Sequence, residues 1–290
     1  MQLSVDMVDR RMDHDPSRIV YIGGIPCSRA TREGLAAQMV EDNLAKRAGL
    51  LLKPKLVVAA NGSTIARYHH QPSYRALLDQ ADIIDVDGMP LVFASRLFCR
   101  RPLTERVATT DFINDACAAA AAAGVRFYFL GARGDRAARA AALLQASYPG
   151  LEIVGARDGY FDHTEEADVC AEIVASGADV LWLGMGSPRQ ESFAVRNRDL
   201  LAGLTWIRTC GGLFDFFSQH VPRAPRWMQD AGLEWLFRTL QEPGPLGVRG
   251  RNSDNRLIKE RLGWAPSQPL RDGLAITYGW VDQQLRRNSK

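Results

Sequence analysis

The sequence predicts an α/β fold in which a Rossmann-like parallel sheet carries helices on both faces. Short apolar segments alternate regularly with longer segments of helical periodicity, as in consecutive βαβ units. The predicted strands are Ile19–Ile22, Leu56–Ala60, Ile83–Val86, Arg126–Leu130, Glu152–Val154, Val180–Leu183 and Trp206–Thr209. The predicted helices lie near Arg29–Arg47, Tyr74–Asp79, Leu91–Phe98, Asp111–Ala123, Arg136–Tyr148, Glu165–Ala175, Glu191–Leu201 and Trp227–Leu240.

The composition favours a globular protein over a membrane-spanning, secreted or nucleic-acid-binding one. The chain has 290 residues, 46% of them hydrophobic and 24% charged, which is typical of a soluble globular protein. A net charge of +3 is small for a protein that binds nucleic acid. The sequence contains no apolar stretch of the roughly 20 residues that span a bilayer, and the aspartate-rich start does not resemble a signal peptide. Five scattered cysteines without a C-x-x-C pair indicate a reduced, cytoplasmic protein without structural zinc.

Polar and glycine residues follow the predicted strands. Asn61, Asp87, Gly131, the turn from Gly184 to Gln190, and the pair Gly211-Gly212 each come directly after one. In parallel sheets, ligands bind at the carboxyl ends of the strands. The sequence therefore predicts a single ligand site along this edge.

The turn after the strand Val180–Leu183 reads Gly-Met-Gly-Ser-Pro-Arg-Gln-Glu and leads into a predicted helix. Glycines let backbone N–H groups approach an anion, and a helix N-terminus adds partial positive charge. Arg189 and Gln190 would point into the same crevice. The alternative interpretation is an ordinary strand-to-helix turn.

Asp87 follows a buried strand and precedes Gly88. A partly desolvated carboxylate there would have a raised pKa and could act as a general base. It could instead cap the next helix. Asp85 and Asp87 also form a D-x-D pattern, which leaves a shared divalent cation as a further interpretation.

Arg106 is the last arginine of a basic segment that also contains Arg96, Arg100 and Arg101. The segment is either a solvated positive face or a surface that recognises a diphosphate or an anionic membrane. The sequence has no G-x-S-x-G elbow, no P-loop, and no histidine–carboxylate metal motif, so hydrolase and kinase functions have little support.

From about Ile19 to Pro243 the sequence resembles the WecG/TagA/CpsF glycosyltransferases. The order and spacing of many short motifs carry this resemblance. They are Asn61, Asp87-Gly88, Glu105-Arg106-Val107, Phe129-Leu130-Gly131, Gly155, Gly159-Tyr160-Phe161, Gly184-x-Gly186-x-Pro188-x-Gln190-Glu191, Gly211-Gly212-x-Phe214-Asp215, Arg223-Ala224-Pro225-x-Trp227 and Gly232-Leu233-Glu234-Trp235-x-x-Arg238.

The resemblance implies an inverting transferase that moves a sugar from a UDP-sugar to a saccharide on polyprenyl diphosphate. Such enzymes build bacterial surface polysaccharides at the inner face of the cytoplasmic membrane. No metal and no cofactor are expected. The resemblance makes Asp87 the catalytic base. The residues expected to bind substrate are Asn61, Arg106, Gly184, Gly186, Gln190, Glu191, Gly211, Gly212 and Arg238. Which hexose or N-acetylhexosamine is transferred, and whether a homo-oligomer forms, stay open.

The chain departs from the family pattern in two places. Ala59 stands where the family often has threonine. After Glu242-Pro243 the expected arginine-rich appendage is missing, and the last residues resemble the end of a nucleotide-sugar epimerase. We therefore expect an extension over 1–18, a glycosyltransferase domain over 19–245 and an epimerase-like helical tail over 246–290, with only weak membrane attachment. A sugar-nucleotide-binding protein with impaired activity and, more remotely, an epimerase-related enzyme are the alternatives.

Overall fold

The computed structural model describes residues 18–218 and 228. All of these residues lie within one compact unit, Met1–Gly232. The expectations for the extension before residue 18, for the helix Trp227–Leu240 apart from Met228, for Arg238 and for the tail over 246–290 fall outside the described residues.

Eight strands are described: β1 (Ile19–Ile22), β2 (Ile25–Ser28), β3 (Lys55–Ala60), β4 (Ile83–Val86), β5 (Arg126–Gly131), β6 (Glu152–Arg157), β7 (Val180–Gly184) and β8 (Trp206–Thr209). Six of them form one sheet in the order β4-β3-β8-β7-β5-β6. Every neighbouring pair in this sheet is parallel. The predicted α/β fold with a parallel sheet is therefore confirmed.

The first predicted strand lies outside this sheet. β1 pairs antiparallel with β2, a strand that the sequence analysis did not predict, and Ile22 lies opposite Ile25. Gly23 and Gly24 connect them with φ of +55° and +78°. Positive φ at both residues is what a two-residue hairpin turn requires, so the Gly-Gly pair explains the reversal of the chain.

Helices cover both faces of the sheet. The described ones are α1 (Arg32–Arg47), α2 (Gly62–His70), α3 (Pro72–Leu78), α4 (Met89–Phe98), α5 (Thr109–Ala123), α6 (Arg136–Ser147), α7 (Glu166–Ala175), α8 (Arg189–Arg196) and α9 (Leu213–Phe217). Side chains from α2, α3, α4, α7 and α8 pack with the hairpin in one buried cluster. Those from α1, α5, α6 and α9 pack in a second cluster on the opposite face. This is the three-layer arrangement expected for a parallel sheet.

Close backbone contact holds the middle of the carboxyl edge together. Gly131 has a φ of +153°, and a Cβ placed on it would lie 2.3 Å from the carbonyl oxygen of Gly184. A Cβ on Gly159 would in turn lie 2.9 Å from the Cα of Gly131. Only glycine permits this approach. The ends of β5 and β7 and the loop after β6 therefore meet at one place.

All five cysteines lie among the described residues, and none forms a disulfide. Cys27, Cys117, Cys170 and Cys210 are buried, whereas Cys99 is half-buried. Burial raises the pKa of Cys27 and Cys117 to about 12 and that of Cys170 to about 11. Within the described ranges, the helices are too short or too polar to cross a bilayer.

Candidate functional site

Asp87 lies just beyond β4, where its backbone N–H donates to the carbonyl of Ala60 at 2.8 Å. This bond extends the β3–β4 pairing by one residue and fixes the backbone of Asp87 at the carboxyl edge. The side chain is half-buried, and Thr109 Oγ1 donates a long hydrogen bond of 3.5 Å to its Oδ2. The carboxylate is therefore held in place by strand pairing and remains open to a ligand.

The environment of Asp87 raises its pKa to about 6. Burial is the main cause, and the nearby charge of Asp85 adds to it. The guanidinium groups of Arg106 and Arg208 and a backbone hydrogen bond from Thr109 act in the opposite direction. A carboxylate with this pKa is mostly ionised at neutral pH and is a stronger base than an ordinary aspartate.

Arg106 lies near Asp87, in the segment that follows α4. The N–H of Val107 donates to the carbonyl of Val86 at 2.8 Å, which ties this segment to the end of β4. The side chain of Arg106 is only 15% exposed and pairs with Asp111 at 3.0 Å. Arg96, Arg100 and Arg101 are exposed. The basic segment therefore divides into one arginine held in the site and three at the surface.

Asn61 lies at the end of β3, beside Gly88. Its Oδ1 accepts hydrogen bonds from the N–H groups of Ser63 at 2.9 Å and Thr64 at 3.2 Å. Asn61 is thus the N-cap of α2, a helix that the sequence analysis did not predict. A Cβ on Gly88 would lie 3.5 Å from Asn61 Cα. Because Oδ1 caps the helix, the amide Nδ2 is the part of Asn61 that can serve a ligand.

The turn after β7 leads into α8 two residues earlier than predicted, so Gln190 and Glu191 lie in its first turn. Both side chains are buried. Gln190 Oε1 accepts the N–H of Gly211 at 3.1 Å, and Gln190 Nε2 donates to Glu191 Oε1 at 3.0 Å. We expected Gln190 to point into the ligand crevice. Instead, both ends of its amide bond to protein groups and tie the turn after β7 to the turn after β8.

The glycines of these turns have different roles. A Cβ on Gly184 would lie 2.8 Å from the Phe214 ring, so Gly184 is needed for packing. Gly186 and Gly211 have φ of +76° and +55°, and a Cβ on either would meet nothing within 4 Å. Gly212 precedes α9 as its N-cap. Gly186 and Gly211 thus set the backbone shape of the edge and leave space in front of it.

Tyr160 lies at the candidate site, and the sequence analysis quoted it in a motif without assigning it a function. The residue is 60% exposed and follows β6 at the same edge. The Cζ atoms of Arg133 and Arg189 lie 4.6 and 5.5 Å from its ring centroid. Asp158 accepts the N–H of Tyr160 at 2.5 Å and thereby fixes the loop. An exposed aromatic ring among guanidinium groups suits a planar, anionic ligand.

Asp85 is bound to Arg208 in the sheet. Arg208 Nη1 and Nη2 donate to its two carboxylate oxygens at 2.5 and 2.9 Å, and both side chains are buried. The interpretation of Asp85 and Asp87 as ligands of one cation is therefore not supported, since a guanidinium takes both oxygens of Asp85. Within residues 18–218 and 228, no cluster of three or more histidine, cysteine or carboxylate side chains could hold a metal ion.

These groups follow the strand order along one edge, from Asp87 beyond β4 to Tyr160 beyond β6. The sequence model of the glycosyl transferase WecG/TagA/CpsF family matches residues 20–252. The chain belongs to this family. Membership makes it a glycosyltransferase of cell-surface polysaccharide synthesis. The match continues past residue 245, where the sequence analysis ended the transferase domain.

The structure places several of the predicted residues along the carboxyl edge of the sheet. Asn61, Asp87 and Arg106 lie together at the β3–β4 end. The side chains of Gln190 and Glu191 are buried and, through Gly211, connect the turn after β7 to the turn after β8. Arg238, the remaining predicted substrate-binding residue, lies outside the described residues.

Proposed function

We propose that the protein transfers a hexose or N-acetylhexosamine from a UDP-sugar to a saccharide on polyprenyl diphosphate, with inversion at the anomeric carbon. The reaction would serve bacterial surface or exopolysaccharide synthesis at the inner face of the cytoplasmic membrane. Family membership supports a glycosyl transfer. The observation that carries the proposal is that the carboxylate of Asp87, whose pKa is raised, has a largely buried cation nearby, Arg106, which is itself paired with Asp111.

In this proposal Asp87 is the base. Its carboxylate accepts the proton of the acceptor hydroxyl while that oxygen attacks the anomeric carbon. The bond from this carbon to the UDP diphosphate breaks in the same step, and the leaving diphosphate carries the electron pair. One displacement from the opposite side inverts the configuration. A base with a pKa of about 6 is ionised at neutral pH, and it is basic enough to assist this transfer.

Arg106 is the proposed partner of the departing diphosphate. Its charge lowers the pKa of Asp87, so its guanidinium lies near that carboxylate. Negative charge that develops on the leaving group would be stabilised by this cation and by the Asn61 amide. Neither group needs a metal ion to act in this way.

Tyr160 is the proposed platform for the uracil base. Aromatic rings stack on nucleobases with about 1–3 kcal/mol per base. Neighbouring strands are about 4.8 Å apart, so the five steps from β4 to β6 span about 24 Å. This edge is long enough for an extended nucleotide sugar, with its base near Tyr160 and its anomeric carbon near Asp87.

Transfer of radiolabelled sugar from UDP to a polyprenyl-diphosphate-linked acceptor tests the proposal. The donor is chosen first, as the UDP-sugar that most raises the thermal unfolding temperature. Asp87→Asn should lower turnover about 10²–10⁴-fold with donor binding largely kept. Asp199→Asn, which changes an exposed aspartate, is the control. Turnover of the Asp87→Asn protein near that of the wild type would refute the assignment of the base.

The second candidate is a sugar-nucleotide-binding protein with impaired transfer. The sequence after Glu242-Pro243, where the arginine-rich appendage is missing, favours it. The same assay separates the two functions. Protection by a UDP-sugar without detectable transfer to any lipid-linked acceptor would support binding alone.

A further inference from the structure

Helix α4 carries an apolar face that the described protein leaves uncovered. Leu91, Val92 and Ser95 are buried against the sheet. On the outer side, Phe93 is 53%, Leu97 75% and Phe98 80% exposed. Phe93 and Leu97 are one helical turn apart and therefore lie on the same face. Exposed apolar residues in a group of this kind mark a surface that binds a partner.

The surroundings of this face are basic. Arg96, Arg100 and Arg101 are all exposed. The segment from Gly88 to Thr104 contains these three arginines and no acidic residue. Tyr21 of the hairpin, 69% exposed, extends the surface, because Ile19–Tyr21 and Cys99–Arg101 line one open cavity. The combination is an aromatic and aliphatic face bordered by guanidinium groups.

We propose that this α4 face, formed by Phe93, Leu97, Phe98 and the arginines beside them, binds the surface of an anionic lipid bilayer. Apolar side chains enter the boundary between headgroups and acyl chains, and arginines bind the lipid phosphates. An anionic bilayer therefore suits both the apolar side chains and the arginines of the α4 face, because it has an apolar interior and a negatively charged surface.

A second copy of the chain fits this face less well. In a two-fold symmetric interface the same patch meets itself. Arginines from one copy would then face arginines of the other, with no carboxylate in the segment to compensate them. Like charges placed together in an interface disfavour association. Charge complementarity therefore selects the lipid surface.

The position of α4 relates this surface to the site. The helix begins at Met89, two residues after Asp87, and ends at Phe98. At 1.5 Å per residue, Phe98 lies about 14 Å along the helix from its start. This link to the site rests on the proposed function, because it assumes that a lipid-linked acceptor held at the bilayer must come near the proposed base, Asp87. Lipid binding itself requires neither UDP nor transfer.

Co-sedimentation of the full chain with vesicles tests the proposal. Vesicles of phosphatidylcholine alone are compared with vesicles that also contain phosphatidylglycerol. The wild type should bind the anionic vesicles, and binding should fall as salt rises. The double variant Leu97→Ser/Phe98→Ser should bind at least about tenfold more weakly, because it removes two exposed apolar side chains. Arg100→Gln and Arg101→Gln should each weaken binding about fivefold.

Matched variants elsewhere are the controls. Leu200→Ser changes a leucine that is 55% exposed, and Arg139→Gln changes an exposed arginine of α6. Both should bind vesicles as the wild type does. All variants should keep the protection by UDP-sugar that the wild type shows. Loss of lipid binding with that protection intact supports the α4 surface, whereas absence of UDP binding in every protein would contradict the proposed function alone.

Two results would overturn the proposal. In the first, the α4 variants bind anionic vesicles within twofold of the wild type. In the second, the wild type does not bind vesicles and forms a dimer that Leu97→Ser/Phe98→Ser dissociates, as judged by analytical ultracentrifugation. The second result would assign the face to another copy of the chain.

Discussion

Arg208 on β8 binds both carboxylate oxygens of Asp85 on β4 and crosses the strand between them. That strand, β3, places Val57 in register with Arg208 and Ala59 in register with Asp85. The Arg208 guanidinium also lies 5.2 Å from the centroid of the Phe112 ring. The ion pair therefore belongs to the core beneath the site. Asp85 lies two residues before Asp87, so the pair influences the pKa of Asp87 without contacting a ligand.

Transfer should depend on pH through Asp87. With a pKa of about 6, the base is ionised above this pH and protonated below it. We expect kcat/KM to fall tenfold per pH unit below about 6. Asp85→Asn removes the negative neighbour that raises this pKa, so the acid limb should move to lower pH. A pH–rate profile of both proteins measures the shift, and an unchanged limb would contradict the assignment.

The same Asp85→Asn variant should be much less stable. It leaves the buried Arg208 charge without its partner, and breaking a buried pair costs about 3–5 kcal/mol of unfolding free energy. Urea denaturation measures this loss. Asp199→Asn breaks an exposed pair with Lys53 and should change stability by less than about 1 kcal/mol. Equal losses in both variants would show that burial of the pair has no effect.

Asp87→Asn should make the folded protein more stable. The folded pKa of about 6 lies above the ordinary value of 3.8, so ionisation of Asp87 lowers stability as the pH rises from about 4 to 6, and the full loss is present above pH 6. Removing this charge should stabilise the protein by about 1–3 kcal/mol at pH 7.5. The gain should disappear near pH 4, where folded Asp87 is already protonated. Unfolding temperatures at the two pH values test the sign, and a gain that is equal at both would refute it.

Arg106→Ala should weaken UDP binding by about 1.5–3 kcal/mol, since it removes a charge-assisted contact. Calorimetry measures the affinity directly. Arg139→Ala on the outer side of α6 is the matched control and should bind UDP as the wild type does. If affinity and transfer rate are both unchanged in Arg106→Ala, this arginine pairs with Asp111 for structural reasons only.

Glu191 should act by orienting Gln190. Its Oε1 accepts from the Gln190 amide, and its Oε2 is buried without a hydrogen-bond partner. Glu191→Leu removes the acceptor, so the Gln190 amide should lose its orientation toward Gly211. We expect transfer to fall about tenfold, as for a lost buried hydrogen bond. Glu191→Gln keeps an acceptor oxygen and should restore most of the rate. Equal rates for the two variants would contradict a positioning function.

Gly131→Ala should destabilise the fold by about 2–4 kcal/mol, because the new Cβ would meet the backbone of Gly184 at an unfavourable φ. Gly62→Ala is the control. A Cβ on Gly62, the first residue of α2, meets nothing within 4 Å. Its unfolding free energy should stay within about 0.5 kcal/mol of the wild type. Thermal denaturation compares the two, and similar effects would show that the edge tolerates a side chain.

Five of the six strands of the main sheet were predictable because each is a mostly buried, mostly apolar run followed within two residues by a polar or glycine residue. The sixth, β6, has no buried residue and continues to Arg157, beyond the predicted end at Val154. Three of the described elements were not predicted: β2, α2 and the five-residue helix α9. β2 is four residues long and contains Pro26, which breaks the usual strand pattern. The start of α2 was missed because Asn61 was interpreted only as a ligand-binding residue, whereas it also caps that helix.

The site was predictable where a residue acts at its own strand end, as Asp87 does. It was not predictable where the partner is distant in the chain. Arg208 and Asp85 are 123 positions apart, and nothing local in either strand indicates the pair. Gln190 was expected at the ligand, and its hydrogen bond with Gly211 was not predictable, because that contact depends on the order of β7 and β8.

Because most of its cysteines are buried, the protein should react with thiol reagents at one cysteine in preference to the others. Four thiols are enclosed, and three of them have a pKa of about 11 or 12, so they are protonated and unreactive at neutral pH. Cys99, the half-buried one, follows the last residue of α4, and its Sγ lies 3.8 Å from the carbonyl oxygen of Tyr21. A maleimide fluorophore added to the unmodified chain would therefore attach beside the α4 face. A change in its emission would show directly whether the α4 face moves from water into a lipid bilayer.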